Sequence, residues 1–142
     1  MRDLAIAFSA LADTTRLQML ALLLRHGELC VCDFVETLGI SQSKASRHLR
    51  TLWNARLLED RRAGLWVHYR ISRTLGAERE TLVKTLGRLL AGRDLEDLDQ
   101  RLAAWLKRKG ATTTCAVAPA RNAPVRKATR TRTPRSAAEP RR

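Results

Sequence analysis

Cys30 and Cys32, in the run Gly27-Glu28-Leu29-Cys30-Val31-Cys32-Asp33, are the residues of this 142-residue chain whose type and spacing best suit chemistry. Thiolates are soft donors that select soft or borderline ions such as zinc, cadmium, lead or trivalent arsenic. Inside a regular helix, residues at i and i+2 point about 200° apart and cannot share an ion. The spacing works if Cys30 is instead the N-cap of a helix beginning at Val31. Its backbone is then non-helical, and Asp33 falls at the third helical position, where a carboxylate favours the helix start. Both sulfurs would feel the positive end of the helix dipole, which predicts lowered thiol pKa values. Two small half-buried residues standing in for Ser or Ala would also fit, but cysteine pairs this close are uncommon.

Two thiols leave a thiophilic ion under-coordinated. The third cysteine, Cys115, follows Lys109 by a few residues that extend ~20 Å at most. It is either a third ligand, from its own chain or a partner's, or a thiol of the tail with no role. His26, His48 and His68 form no ligand spacing with one another, and the C-terminal helices contain no His. An odd count of three cysteines does not make a disulfide framework and fits a reducing compartment.

A second set of side chains suits recognition rather than coordination. On a helix running from a cap at Ser41 to about Ala55, Ala45, Leu49 and Leu52 form the inward face. Gln42, Ser43, Ser46, Arg47 and Arg50 fall on the opposite side within about 140°. Gln pairs bidentately with adenine, Arg with guanine, and Ser donates or accepts at either. His48 lies at the border of the apolar face and reads as a packed histidine. A hairpin follows, Leu58 to Arg62, Ala63-Gly64, then Leu65 to Ile71. Its second strand alternates Leu65, Val67, Tyr69 and Ile71 against Trp66, His68 and Arg70. Arg61 and Arg62 beside the turn are offered to DNA backbone or minor groove.

The elements that must position these residues are mainly helical. Helices are expected from about Arg2 to Leu11, with a stripe of Leu4, Phe8 and Leu11, and from a cap at Asp13 to a stop at Gly27. A short helix spans Val31 to Leu38 and ends at Gly39. Short helix, glycine-containing turn and longer helix outline a helix-turn-helix. After the hairpin come a helix from about Ala77 to Ala91 and another capped by Asp94. Lys107, Arg108 and Lys109 suit the negative end of that last helix before Gly110 stops it.

Apolar residues make up 44% of the chain, enough for a modest core, but from Ala111 they are almost all Ala. The division is a folded part, residues 1–110, and a basic, disordered tail, 111–142. Of the net charge of +13, the tail holds +7 from eight Lys/Arg against one Glu, leaving +6 on the folded part. Basic charge in both parts points to nucleic acid or an acidic surface. Asp3 and Ser9 argue against a signal peptide, and no run approaches the ~18 apolar residues of a membrane span. The expected location is the cytoplasm, with no membrane partner.

From about Phe8 to Ile71 the chain resembles the ArsR/SmtB winged-helix repressors, notably their arsenical-resistance branch. The resemblance is carried by Ala10-Leu11-Ala12-Asp13-Thr14-Thr15-Arg16-Leu17, Glu28-Leu29-Cys30-Val31-Cys32-Asp33, Leu38-Gly39-Ile40-Ser41-Gln42-Ser43, Ser46-Arg47-His48-Leu49 and Trp66-Val67-His68-Tyr69-Arg70. It implies a winged helix-turn-helix homodimer joined through its first and last helices. It also implies binding to double-stranded operator DNA and release by an inducer, with DNA-reading roles for Gln42, Ser43, Ser46 and Arg47. The chain departs from the family pattern at Val35, where arsenic sensors of this branch carry a third cysteine, and at Thr14, where Pro is frequent.

The reading that follows is a repressor, not an enzyme. It senses As(III) or Sb(III) through Cys30, Cys32 and Cys115 and uses no organic cofactor. Cd(II) or Pb(II) as inducer is the first alternative, and a thiol redox switch the second. An architectural basic protein held on DNA by its tail is the third.

Overall fold

The computed structural model describes residues 1–93 and 95–111. The cap expected at Asp94 and the disorder expected of the tail lie outside the described residues. The order of elements is α1 (Arg2–Leu11), α2 (Thr14–His26), β1 (Glu28–Cys30), α3 (Val31–Leu38), α4 (Gln42–Asn54), β2 (Leu58–Ala63), β3 (Trp66–Ile71), α5 (Ala77–Ala91) and α6 (Glu96–Ala111). This is a winged helix-turn-helix: α3 and α4 are the two helices of the motif, and β2 and β3 form the wing.

Local chemistry sets most boundaries. The Asp13 carboxylate accepts the Arg16 backbone N–H at 2.9 Å and starts α2. Arg16 then turns back and donates to the carbonyls of Ala10 and Ser9, closing the end of α1. Gly27, at φ +82°, ends α2, and Gly39, at φ +62°, ends α3 in the left-handed conformation that favours glycine. Ser41 accepts from the Lys44 N–H and caps α4.

The core is built from Met19, Leu20, Leu22 and Leu23 of α2, Phe34 of α3, Leu49 and Leu52 of α4, and Leu102 of α6. Each fully buried side chain of this size is worth about 1.5–3 kcal/mol. Together they fix α4 against α2 and α3, so that its polar face looks outward. Among the described residues no single helix is long and apolar enough to cross a membrane.

Four expectations are corrected. The hairpin turn is Gly64-Leu65 rather than Ala63-Gly64: Ala63 pairs with Trp66 and extends the ladder. Gly64, at φ +61°, therefore takes the first turn position, and Leu65 is exposed instead of joining the inward face. In α1 the small Ala7 and Ala10 face the core, whereas Phe8 is 54% exposed. The last helix does not stop at Gly110 but runs on to Ala111. Finally, Glu28–Cys30 forms a third strand, which pairs antiparallel with β3 and gives the sheet order β1-β3-β2.

Candidate thiol centre and nucleic-acid interface

Cys30 ends β1 and is also the N-cap of α3, with extended backbone (φ −93°, ψ 169°). Its N–H donates to Asp33 Oδ2 at 2.8 Å, the reciprocal half of a capping box. Because Cys30 is outside the helix and Cys32 is in its first turn, the two side chains enter one buried cluster covered by Trp66 and Trp105. Both cysteines are at most 3% exposed. The donor types suit a soft ion. Among the described residues no group of three His, Cys, Asp or Glu side chains is arranged to hold one. Cys115 lies outside the described residues.

What covers the centre comes from the far end of the chain. The Asp33 carboxylate, nearly fully buried, takes Trp105 Nε1–H at 2.8 Å and the Lys109 ammonium at 2.8 Å, both on Oδ1. Lys109 Nζ also donates to Cys30 Sγ at 3.1 Å. Trp105 and Lys109 are four residues apart, so α6 presents them on one face, one turn above the other. Lys109 thus turns to Asp33 and Cys30 instead of serving only the helix end.

Electrostatics at the cysteine run opposite to the helix-dipole expectation. Burial pushes the Cys30 thiol up, the Asp33 charge adds to that, and the Lys109 hydrogen bond offsets only part of it. Burial also works against ionised Asp33, yet the bonds from Lys109, the Cys30 N–H and Trp105 outweigh it and hold the carboxyl below its ordinary value. Lys109 loses solvation on burial too, but its bonds to Asp33 and Cys30 raise its pKa. A buried carboxylate with three donors is the stable arrangement that such desolvation demands.

The same strand ties the thiol centre to the wing. Cys30 lies opposite His68 and Glu28 opposite Arg70 in the β1–β3 ladder. Glu28 accepts Arg61 from β2, with Nε at 3.1 Å from Oε1. His68 and Arg70 stand 3.6 Å from the same carboxylate, and the Arg61 hydrogen bond above all holds it below its ordinary value.

On α4, Ala45, Leu49 and Leu52 are buried as expected, and Ser43, Arg47 and Arg50 are exposed, with Gln42 and Ser46 partly so. His48 packs at the border of this helix, its Nδ1 3.4 Å from the Arg16 guanidinium and 3.8 Å from Asp13. On the wing, Arg61 and Arg62 are both exposed, and Arg61 is engaged by Glu28. The structure thus places the outward polar face of α4 beside the wing and the cysteine pair at the N-terminus of α3. Trp66, Trp105, Lys109 and Glu28 were not among the site residues expected from sequence. Only the four-residue spacing of Trp105 and Lys109 could have marked two of them, and it does not say what they face.

A model described as "Bacterial regulatory protein, arsR family" matches residues 13–60. The homodimeric winged helix-turn-helix DNA-binding domain of a possible ArsR-family regulator from Mycobacterium bovis is 32% identical. The likeness covers 66% of this chain and 82% of that one, with a TM-score of 0.54. The chain belongs to the arsR family. Among curated members of that family, it is 53% identical over 66 residues to the arsenic resistance transcriptional regulator ArsR1 of Pseudomonas putida, covering 46% of this chain and 52% of that protein. It is 55% identical over 65 residues to the arsenical resistance operon repressor of Escherichia coli K12, covering 46% and 56%. The arsR-family chain therefore spans only about half the length of the curated relatives it matches.

Proposed function

We propose that this chain is a cytoplasmic transcriptional repressor, acting as a homodimer, that leaves its operator when Cys30 and Cys32 capture trivalent arsenic or antimony. The observation that carries the reading is the double role of Cys30 as end of β1 and N-cap of α3. It brings both sulfurs into one cluster, at the start of the helix that supports α4. The names of the two curated relatives support the inducer class. Trivalent arsenic exchanges hydroxyls for sulfurs, each thiol proton leaving with a hydroxide as water, so reduced thiols suffice.

In this reading Cys115 supplies the third sulfur, from a basic tail (residues 111–142) that follows the folded part (residues 1–110). Gln42, Ser43, Ser46, Arg47 and Arg50 read or hold the operator in the major groove, and Arg61 and Arg62 approach it from the wing. The homodimer is supported by large apolar side chains left exposed on α1 and α5, Ile6, Phe8 and Leu89, and by the homodimeric state of the Mycobacterium bovis relative.

The test is an operator gel shift under reducing conditions with arsenite, antimonite, cadmium and lead as separate arms. Arsenite and antimonite release the wild type, while Cys30→Ser and Cys32→Ser stay bound. Release by cadmium or lead alone would reassign the inducer. Normal release of both variants would remove the site, and an unchanged arsenite response in Cys115→Ser would retire it as a ligand.

A further inference from the structure

The Cys30 sulfur cannot be reached as it stands. The residue is 2% exposed, and the groups over it are Trp66 of the wing and Trp105 and Lys109 of α6. An ion bonded to sulfur needs a site ~2.3 Å from it on an open side. Lys109 Nζ already stands 3.1 Å away, while its other hydrogen bond binds Asp33. Through Lys109 and Trp105, the last turns of α6 are fastened to Asp33 and Cys30 of the α3 cap. We propose that Lys109 is a positioning residue that latches α6 over Cys30, so that docking of α6 and capture of an inducer by Cys30 exclude one another.

The latch gives the Cys30 thiol a mechanical output that it lacks alone. Uncovering Cys30 frees Lys109 and loosens the contact between α6 and α3, the helix that carries α4. Because only the undocked state binds, apparent inducer affinity is the intrinsic affinity scaled by the undocked fraction. Weakening the latch must therefore sensitise the protein to inducer. If Lys109 instead served to activate the thiol, its loss would desensitise the protein. The two roles differ in sign.

The proposal rests on the reading that Cys30 takes the inducer, and the experiment separates the two. Lys109→Met keeps the apolar stem of a side chain that is 28% exposed near the end of the last helix, so the fold survives. The first readout needs no inducer: the rate of iodoacetamide modification of Cys30 in the reduced full-length chain, resolved by peptide mass spectrometry. Losing one partly exposed charged hydrogen-bond donor should raise the undocked fraction about tenfold. Cys30 of Lys109→Met is then modified about tenfold faster, with faster hydrogen exchange confined to the last turns of α6, and Lys109→Arg restores the slow rates. A thiol without its ammonium neighbour reacts more slowly, so acceleration reports uncovering and not activation.

The second readout is the arsenite concentration for half-release from operator, which falls by a similar factor in Lys109→Met. Unchanged or slower modification of Cys30, or a higher arsenite requirement, would overturn the latch. Faster modification in the variant with no arsenite release even of the wild type would leave the latch standing and remove the inducer reading.

Discussion

Cys30 and His68 face each other across the β1–β3 ladder, and two residues earlier Glu28 holds Arg61 of the wing. A three-residue strand therefore joins the cysteine cluster to an exposed arginine of the wing. In this state the Arg61 guanidinium is committed to a carboxylate. Glu28→Ala should release it to phosphate and steepen the salt dependence of operator binding by roughly 0.9 in log K against log salt, the effect of one added phosphate contact. Affinity measured at several salt concentrations for wild type and variant decides the matter. Parallel lines would show that Arg61 contacts phosphate in both or in neither.

The exposed face of α4 and the exposed end of the wing should fail in different ways. Arg47→Ala is expected to cost about 1–3 kcal/mol on operator and little on unrelated duplex, because a bidentate base contact carries sequence information. Arg62→Ala should weaken both DNAs alike, as loss of a backbone contact does. Competitive binding against operator and scrambled duplex measures the two ratios. Equal ratios for the two variants would assign Arg47 to the backbone as well.

Asp33 is the polar keystone of the α3–α6 contact. Asp33→Asn leaves the Lys109 ammonium without its carboxylate and should destabilise the fold by about 3 kcal/mol, read as a lower denaturant midpoint. The pH dependence follows from the direction of the shift. The folded Asp33 carboxyl titrates below its ordinary value of 3.8, so its contribution is fully present above that value. It is lost as pH falls through the lower folded value. Lys109 is shifted the other way, above 10.5, so its contribution holds below that value and disappears as pH rises through the folded one. The gap in unfolding free energy between wild type and Asp33→Asn should therefore be widest from neutral to mildly alkaline pH and narrow in acid. A gap independent of pH would show that the asparagine disturbs packing rather than charge.

The apolar side chains left on α1 and α5 make the dimer testable without touching the core. Phe8 is 54% and Leu89 65% exposed, so Phe8→Asp and Leu89→Glu should fold with near-wild-type helicity. Sedimentation should then find monomers with much weaker operator binding. A dimer that persists in both variants would place the interface elsewhere.

Much of the site's framework was legible in the sequence because it is local. Asp13 and Ser41 are N-caps three residues ahead of the N–H they bond, Gly27 and Gly39 end helices, and the Ala45, Leu49, Leu52 period turns the rest of α4 outward. The capping role of Cys30 follows from the same kind of signal, since Asp33 lies only three residues away. Less legible was the hairpin turn, where Ala63 pairs with Trp66 and extends the ladder, which moves the turn to Gly64-Leu65.

By itself, the sequence determined the helices, the ends of α2 and α3, the closely spaced cysteines and the outward face of α4. These depend on residues within one or two turns of each other. Only the tertiary structure decided what surrounds the thiols. Strand β1 is three residues long and exists because β3, some forty residues on, supplies its hydrogen-bonding partners. Lys109 reads as an ordinary basic residue near a helix end, and Trp105 as one more apolar position. They become the cover of Cys30 because α6 packs on α3, bringing together groups more than seventy residues apart. A buried carboxylate takes whatever donors the fold delivers to it, and no local pattern says which donors those will be.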